Sequence, residues 1–186
     1  MESVKFLKQF ICNPRKVGAV LPSSQKLANK MVENIEFEKA ECIIEYGPGT
    51  GVFTEKLVER KKDDTILIVI EYNKKLCDII RDKFKNKKNV YIVNDSAENA
   101  KEYLNDFGFN NADYIVSGLP FTSLPKDMSI NILNITKEIL SKEGNFITFQ
   151  YSLVKKNFIE QFFTEIQCKR VIINIPPAYV LNCTNY

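Results

Sequence analysis

The sequence predicts an α/β fold: a doubly wound, seven-stranded, mostly parallel sheet that ends in an antiparallel edge strand. Three observations carry that prediction. Short, nearly continuous apolar runs at 42–46, 65–70, 90–93, 114–117 and 145–151 read as strands buried on both faces. Helical patterns at 52–61, 74–85, 97–107, 130–140 and 154–166 alternate with them, as right-handed strand–helix–strand crossovers require. A last pair, 170–175 and 178–181, flanks Pro176-Pro177 and reads as the antiparallel edge.

The length of 186 residues, with 45% apolar and 26% charged side chains, is that of one globular domain. After Asn13-Pro14 a loop runs to Pro22, and a helix opens at Ser23 or Ser24, both good N-caps. The reading is therefore an N-terminal helical extension, 1–35, followed by one domain, 36–186, without repeats or linkers. The longest uninterrupted apolar run, 66–70, is far short of the roughly 20 residues needed to span a bilayer. Lys5 and Lys8 interrupt the apolar residues at the N-terminus, so no signal-peptide core is present. Five cysteines (Cys12, Cys42, Cys77, Cys168 and Cys183) form no Cys-x-x-Cys pair, which fits a reducing cytoplasm and offers no zinc site. The chain has no histidine. Mechanisms built on a histidine base, a histidine metal ligand or a Ser-His-Asp triad are excluded.

Net charge is only +3, but it is unevenly placed. Residues 1–30 hold six basic side chains against Glu2 alone, so the remaining 156 residues sum to −2. Such asymmetry points to a local anionic contact. On a helical wheel with Val4 at 0°, Phe6, Phe10, Leu7 and Ile11 fall between about 200° and 340°. Lys8, Lys5, Gln9 and Glu2 fall between about 40° and 160°, and Ser3 alone interrupts the apolar face. A basic helix with Phe and Leu on its other side suits a membrane interface, and equally suits packing on the domain.

Three of the seven glycines fall in Glu45-Tyr46-Gly47-Pro48-Gly49-Thr50-Gly51, between the first strand and a helix. Glycine is required where a turn is tight and the backbone must approach a ligand. A dinucleotide fingerprint would need glycine at 52, where Val52 stands. An acidic residue before G-x-G-x-G is instead the loop of class I S-adenosylmethionine-dependent methyltransferases, a Rossmann-like fold. Two further positions suit that cofactor. Glu71 ends the second strand 20 residues after Gly51, where a carboxylate can accept both ribose hydroxyls. Asp95-Ser96-Ala97 follows the third strand, where Asp95 can take the adenine amino group while backbone groups hold the ring. Either acid alone would read as a helix cap.

Ser117-Gly118-Leu119-Pro120-Phe121 leaves the C-terminal end of the fourth strand, the sheet edge at which substrate meets cofactor. Amino-methylating enzymes of this fold often carry Asn-Pro-Pro-Tyr or Asn-Leu-Pro-Tyr here. This chain keeps Leu-Pro and an aromatic, but Gly118 stands in place of Asn. The amide clamp is lost and space is expected to be gained.

The chain resembles the small bacterial phospholipid N-methyltransferases, which methylate phosphatidylethanolamine. The matching segments are Gly18-Ala19-Val20-Leu21-Pro22-Ser23-Ser24, the glycine loop through Thr54, Ser117-Gly118-Leu119-Pro120, Phe149-Gln150-Tyr151 and Pro176-Pro177-Ala178. The resemblance implies a monomeric, peripheral membrane enzyme whose helix at 2–11 docks on anionic lipid. It also implies that Leu21, Ser23 and Ser24 close over the methionine end of the cofactor, and that Tyr151 lies near the acceptor amine. That family is related in turn to the ribosomal RNA adenine dimethyltransferases, which usually add an RNA-gripping helical domain. The chain's end at Tyr186 is read as leaving no room for one, and nucleic acid as an unlikely partner.

The chemistry expected is direct transfer of a sulfonium methyl group to an amine, with inversion and without a metal. Carbonyls of Ser117 and Leu119 hold the amine in this reading, and Phe121 either faces a cationic head group or packs in the core. The ammonium must first lose a proton, and Tyr151, a site carboxylate or water remain open as its acceptor. A nucleobase amino group and a small soluble amine are the alternative acceptors.

Overall fold

A computed structural model of the chain describes residues 25–153, 156–172 and 177–185. The segment 2–11, together with Leu21, Ser23 and Ser24, lies outside those residues.

In chain order the elements are α1 (Gln25–Met31), β1 (Cys42–Tyr46), α2 (Val52–Arg60), β2 (Ile66–Ile70), α3 (Lys74–Phe84) and β3 (Val90–Val93). A 3-10 turn, Ala97–Asn99, leads into α4 (Ala100–Asp106). Then come β4 (Ala112–Ser117), α5 (Lys126–Ile139), β5 (Leu140–Gln150), α6 (Lys156–Ile159), β6 (Glu165–Val171) and β7 (Ala178–Thr184). The seven strands form one sheet in the order β3-β2-β1-β4-β5-β7-β6, and the first five run parallel. β1 sits at the centre and is buried along its whole length, which is why Cys42-Ile43-Ile44-Glu45-Tyr46 shows no polar alternation.

Successive side chains of each strand feed opposite faces. Ile44, Tyr46, Ile68, Ile70, Ile115 and Phe146 pack in one core with residues of α4, α5 and α6. Ile43, Leu67, Val69, Val116, Ile147 and Phe149 pack in the other with α1 and α2. Each fully buried side chain of this size contributes about 1.5–3 kcal/mol. Leu27, Ala28, Met31, Val32 and Ile35 belong to that second core. From Gln25 onward the chain is thus built into the domain, and the packing shows no division at residue 35.

The C-terminal third departs from the expected boundaries. The helix expected over 154–166 spans Lys156–Ile159, and β6 begins at Glu165, five residues before the expected 170. The sheet captures this segment. Thr164 N–H donates to the Thr184 carbonyl at 3.0 Å, and β6 then pairs with β7 from Glu165↔Thr184 to Val171↔Ala178. β7 runs antiparallel to both β5 and β6, one place in from the edge that β6 forms.

Candidate active site

Because the first five strands are parallel, the loops that follow β1, β2, β3 and β4 all emerge at one edge of the sheet. The loop after β1 places Gly47, Gly49 and Gly51 at φ of 59°, 57° and 81°, in the left-handed region. Hydrogen bonds hold it to its neighbours. Gly47 N–H donates to the Ile70 carbonyl at 2.9 Å, and Gly118 N–H donates to the Tyr46 carbonyl at 2.8 Å. A Cβ on Gly47 would meet Leu119 Cδ2 at 2.6 Å, whereas one on Gly49 would meet nothing within 4 Å. The middle of the loop therefore has open space on the side where a side chain would project.

The expected gain of space at Gly118 is corrected here. A Cβ at Gly118 would lie 2.5 Å from the Gly47 carbonyl oxygen. The room that an Asn side chain would occupy is filled by the backbone of the glycine loop.

Three acids meet this edge, each in a different state. Glu45, on β1, is fully buried, and neither carboxylate oxygen has a hydrogen-bond partner among the described residues. Burial pushes its carboxyl up to about 8, with Thr54 pulling it down and the nearby Glu71 adding to the rise. Glu71 is 3% exposed and braces the loops on either side of it. Its Oε2 accepts the Gly49 N–H at 3.2 Å and its Oε1 accepts the Asn73 N–H at 2.8 Å. Burial raises its pKa, and these two bonds oppose the rise. Asp95 accepts from Ser96 N–H at 2.7 Å, the Asn99 side chain at 3.0 Å and the Tyr103 hydroxyl at 2.7 Å. Burial works to raise its pKa, but the three donors outweigh it and hold the carboxyl low. A carboxylate has about four lone-pair sites, so Asp95 keeps one acceptor position. Ser96 caps the 3-10 turn through Glu98 N–H at 3.3 Å, and Ala97 beside it is buried.

On the acceptor side, Ser117 is fully buried and its Oγ accepts the Leu119 N–H at 3.2 Å. The Ser117 carbonyl accepts from Thr148 Oγ1 at 3.3 Å, and the Leu119 carbonyl accepts from Phe121 N–H at 3.1 Å. The Leu119 carbonyl, in the loop, keeps a second lone pair. Of the two places open to Phe121, the structure shows the core: it is fully buried, packed edge-on to Phe146 at 6.1 Å beneath α5 and α6. Tyr151 is half-buried on the opposite face of the sheet, edge-on to Phe149 at 5.4 Å. The sheet therefore separates these two aromatics.

Several residues that the sequence reading missed belong to the same edge. The Asn94 side chain donates to the carbonyls of Glu71 and Tyr72 at 2.8 and 3.0 Å, tying the β2 and β3 loops together. Tyr103 fixes Asp95 from the following helix, and the hydrogen bond to that carboxylate pushes its own phenol up to about 12. Thr54 stood in a quoted segment without a role, and it is buried close enough to Glu45 to oppose the rise of that carboxyl's pKa. No pattern in the sequence marked Asn94 or Tyr103.

The family model described as "Ribosomal RNA adenine dimethylase" matches residues 16–168. A protein named ornithine lipid N-methyltransferase, from Singulisphaera acidiphila, is 31% identical over 180 residues, covering 96% of this chain and 93% of that protein. Ribosomal RNA small subunit methyltransferase A of Borreliella burgdorferi is 28% identical over 166 residues. That match covers 88% of this chain but 52% of the relative, so the chain spans about half the length of this relative. Among solved structures, a precorrin-6y C5,15-methyltransferase from Geobacter metallireducens superposes with a TM-score of 0.69 at 17% identity. It covers 89% of this chain and 91% of that one, a likeness of fold.

Proposed function

The chain belongs to the ribosomal RNA adenine dimethylase family, and on that premise we propose that the amine it methylates is the head group of a membrane lipid. It is an S-adenosylmethionine-dependent N-methyltransferase. The site suits that cofactor: a glycine loop with open space at Gly49, and below it a buried carboxylate, Glu45, whose oxygens lack partners. When bound, S-adenosylmethionine supplies an electrophilic methyl group carried on a sulfonium.

One observation supports the lipid reading above the others. Gly118 cannot carry the amide of the Asn-Leu-Pro-Tyr loop without a shift of the glycine loop, because the Gly47 carbonyl lies 2.5 Å from where its Cβ would be. The full-length similarity to a protein named for a lipid amine points the same way. Two lipid amines are the candidates: phosphatidylethanolamine, which the resemblance of the motifs implies, and ornithine lipid, the substrate in the relative's name. The family and the ribosomal RNA relatives favour a second reading, an adenine amino group.

In this reading Glu45, Glu71 and Asp95 hold the cofactor together with Gly47, Gly49, Gly51, Ser96 and Ala97. Leu21, Ser23 and Ser24 cover its methionine end. The Ser117 and Leu119 carbonyls orient the acceptor amine, and alignment with exclusion of water supplies most of the rate. A primary ammonium has a pKa of about 10.4, so the proton must be withdrawn before attack. Tyr151, just past the end of the strand next to the acceptor loop, a carboxylate or water takes it. Residues 2–11 hold the enzyme on an anionic surface.

The test is incubation with methyl-labelled S-adenosylmethionine and vesicles containing phosphatidylethanolamine or ornithine lipid, with and without anionic lipid, followed by chromatography of the lipids. Label in either lipid, reduced by deleting residues 2–11, supports the reading. Label only in ribosomal RNA overturns it in favour of the adenine reading.

A further inference from the structure

Gln150 is the last residue of β5 and is 2% exposed. Its Nε2 is the only side-chain nitrogen, among the described residues, that is buried without a hydrogen-bond partner. Burying an unpaired amide is destabilising, so a protein that keeps one pays in stability for something else.

Its position says for what. β5 pairs with β4 in the register Ser117↔Thr148, so Gln150 lies two residues beyond the level at which the acceptor loop leaves β4. Alternation puts it on the same face as Thr148, whose hydroxyl reaches the Ser117 carbonyl. Within the acceptor loop, the Ser117 hydroxyl oxygen accepts from Leu119 N–H, and Gly118 has neither a side chain nor room for one. The end of β5 thus brings an unused amide donor close to the level at which the acceptor loop leaves β4.

We infer that Gln150 is a specificity-determining residue whose side-chain N–H group binds an oxygen of the head group that carries the acceptor amine. The ligand chemistry is an anionic or carbonyl oxygen a few bonds from a primary amine. A phosphate in phosphatidylethanolamine supplies it, and so does the carboxylate or amide of an amino-acid lipid. The inference rests on the lipid reading above.

Gln150→Leu tests it, because leucine keeps much of the volume and removes the amide. Thermal unfolding, calorimetric binding of S-adenosylmethionine, and kcat and KM on vesicles of each lipid are measured beside the wild type. The expected result is a melting temperature unchanged or higher and cofactor affinity within about twofold. KM for the lipid is expected to rise at least tenfold, and the lipid that suffers more identifies the oxygen. Gln150→Glu, which puts an acceptor in place of the donor, should be slower still. If Gln150→Leu keeps the wild-type KM, or loses melting temperature and cofactor affinity in step with activity, the residue is structural and the inference is wrong. If the wild type itself methylates neither lipid, the lipid reading fails and the inference falls with it.

Discussion

A Cβ atom on Gly118 would stand 2.5 Å from the carbonyl oxygen of Gly47, so the acceptor loop and the glycine loop touch backbone to backbone. Restoring the amide of the adenine-methylating loop with Gly118→Asn must push these loops apart. Overpacking of this kind costs about 1–3 kcal/mol. We expect a melting temperature lower by several degrees and cofactor affinity reduced at least tenfold, read by calorimetry. A variant that melts like the wild type would show that the contact yields easily.

Glu45 gives the protein a pH dependence with a defined sign. Its carboxyl titrates at about 8 in the folded chain against an ordinary value of 4.5, chiefly through burial. Folding therefore takes up a proton between those values. The stability from this group is fully present below the unfolded value and is lost as pH rises through about 8. The slope is at most about 1.4 kcal/mol per pH unit. Glu45→Gln should remove that slope, and denaturant melts of the two proteins from pH 5 to 9 would show it. Parallel curves would mean that Glu45 is ionised throughout.

Glu71 accepts two backbone N–H groups at once, from Gly49 and Asn73. Glu71→Ala leaves both donors unpaired, at about 1–3 kcal/mol each if they stay buried. Cofactor binding should fall at least tenfold, more than the loss in melting temperature alone would produce.

Asp95 and Tyr103 separate positioning from binding. Tyr103→Phe removes one of three donors to Asp95 and should weaken cofactor binding only a few-fold. Asp95→Ala should weaken it far more. Equal losses would mean that Asp95 acts only by anchoring α4.

Phe121→Ala should behave as a core truncation. The ring is fully buried against Phe146, so the cavity costs about 3–5 kcal/mol. Activity measured well below the melting temperature should keep the wild-type preference among amines. A changed preference would return Phe121 to the acceptor site.

The parallel half of the sheet was legible because its strands are buried on both faces. The strands at 42–46 and 90–93 carry the bounds expected of them. β6 was not legible. Glu165-Ile166-Gln167-Cys168-Lys169-Arg170 is mostly exposed, and the buried Ile159 and Phe163 four apart mimic a continuing helix. Only pairing with β7, which the chain reaches later, makes that segment a strand. That Glu71 and Asp95 stand just past the ends of β2 and β3 was legible from their spacing. The unpaired burial of Gln150 was not, and the choice between the two readings of Phe121 was not, since both depend on which face of the sheet a side chain enters.

The contact between Gly47 and Gly118 limits how this scaffold can diversify. Donor and acceptor loops are fused through their main chains and cannot be exchanged as independent modules. A new acceptor is easier to accommodate from the ends of β5 and the segment that follows it, where side chains can vary without moving the methyl donor. Selection for new substrates, natural or in the laboratory, should therefore accumulate changes around Gln150 and Tyr151 and leave the two glycines alone.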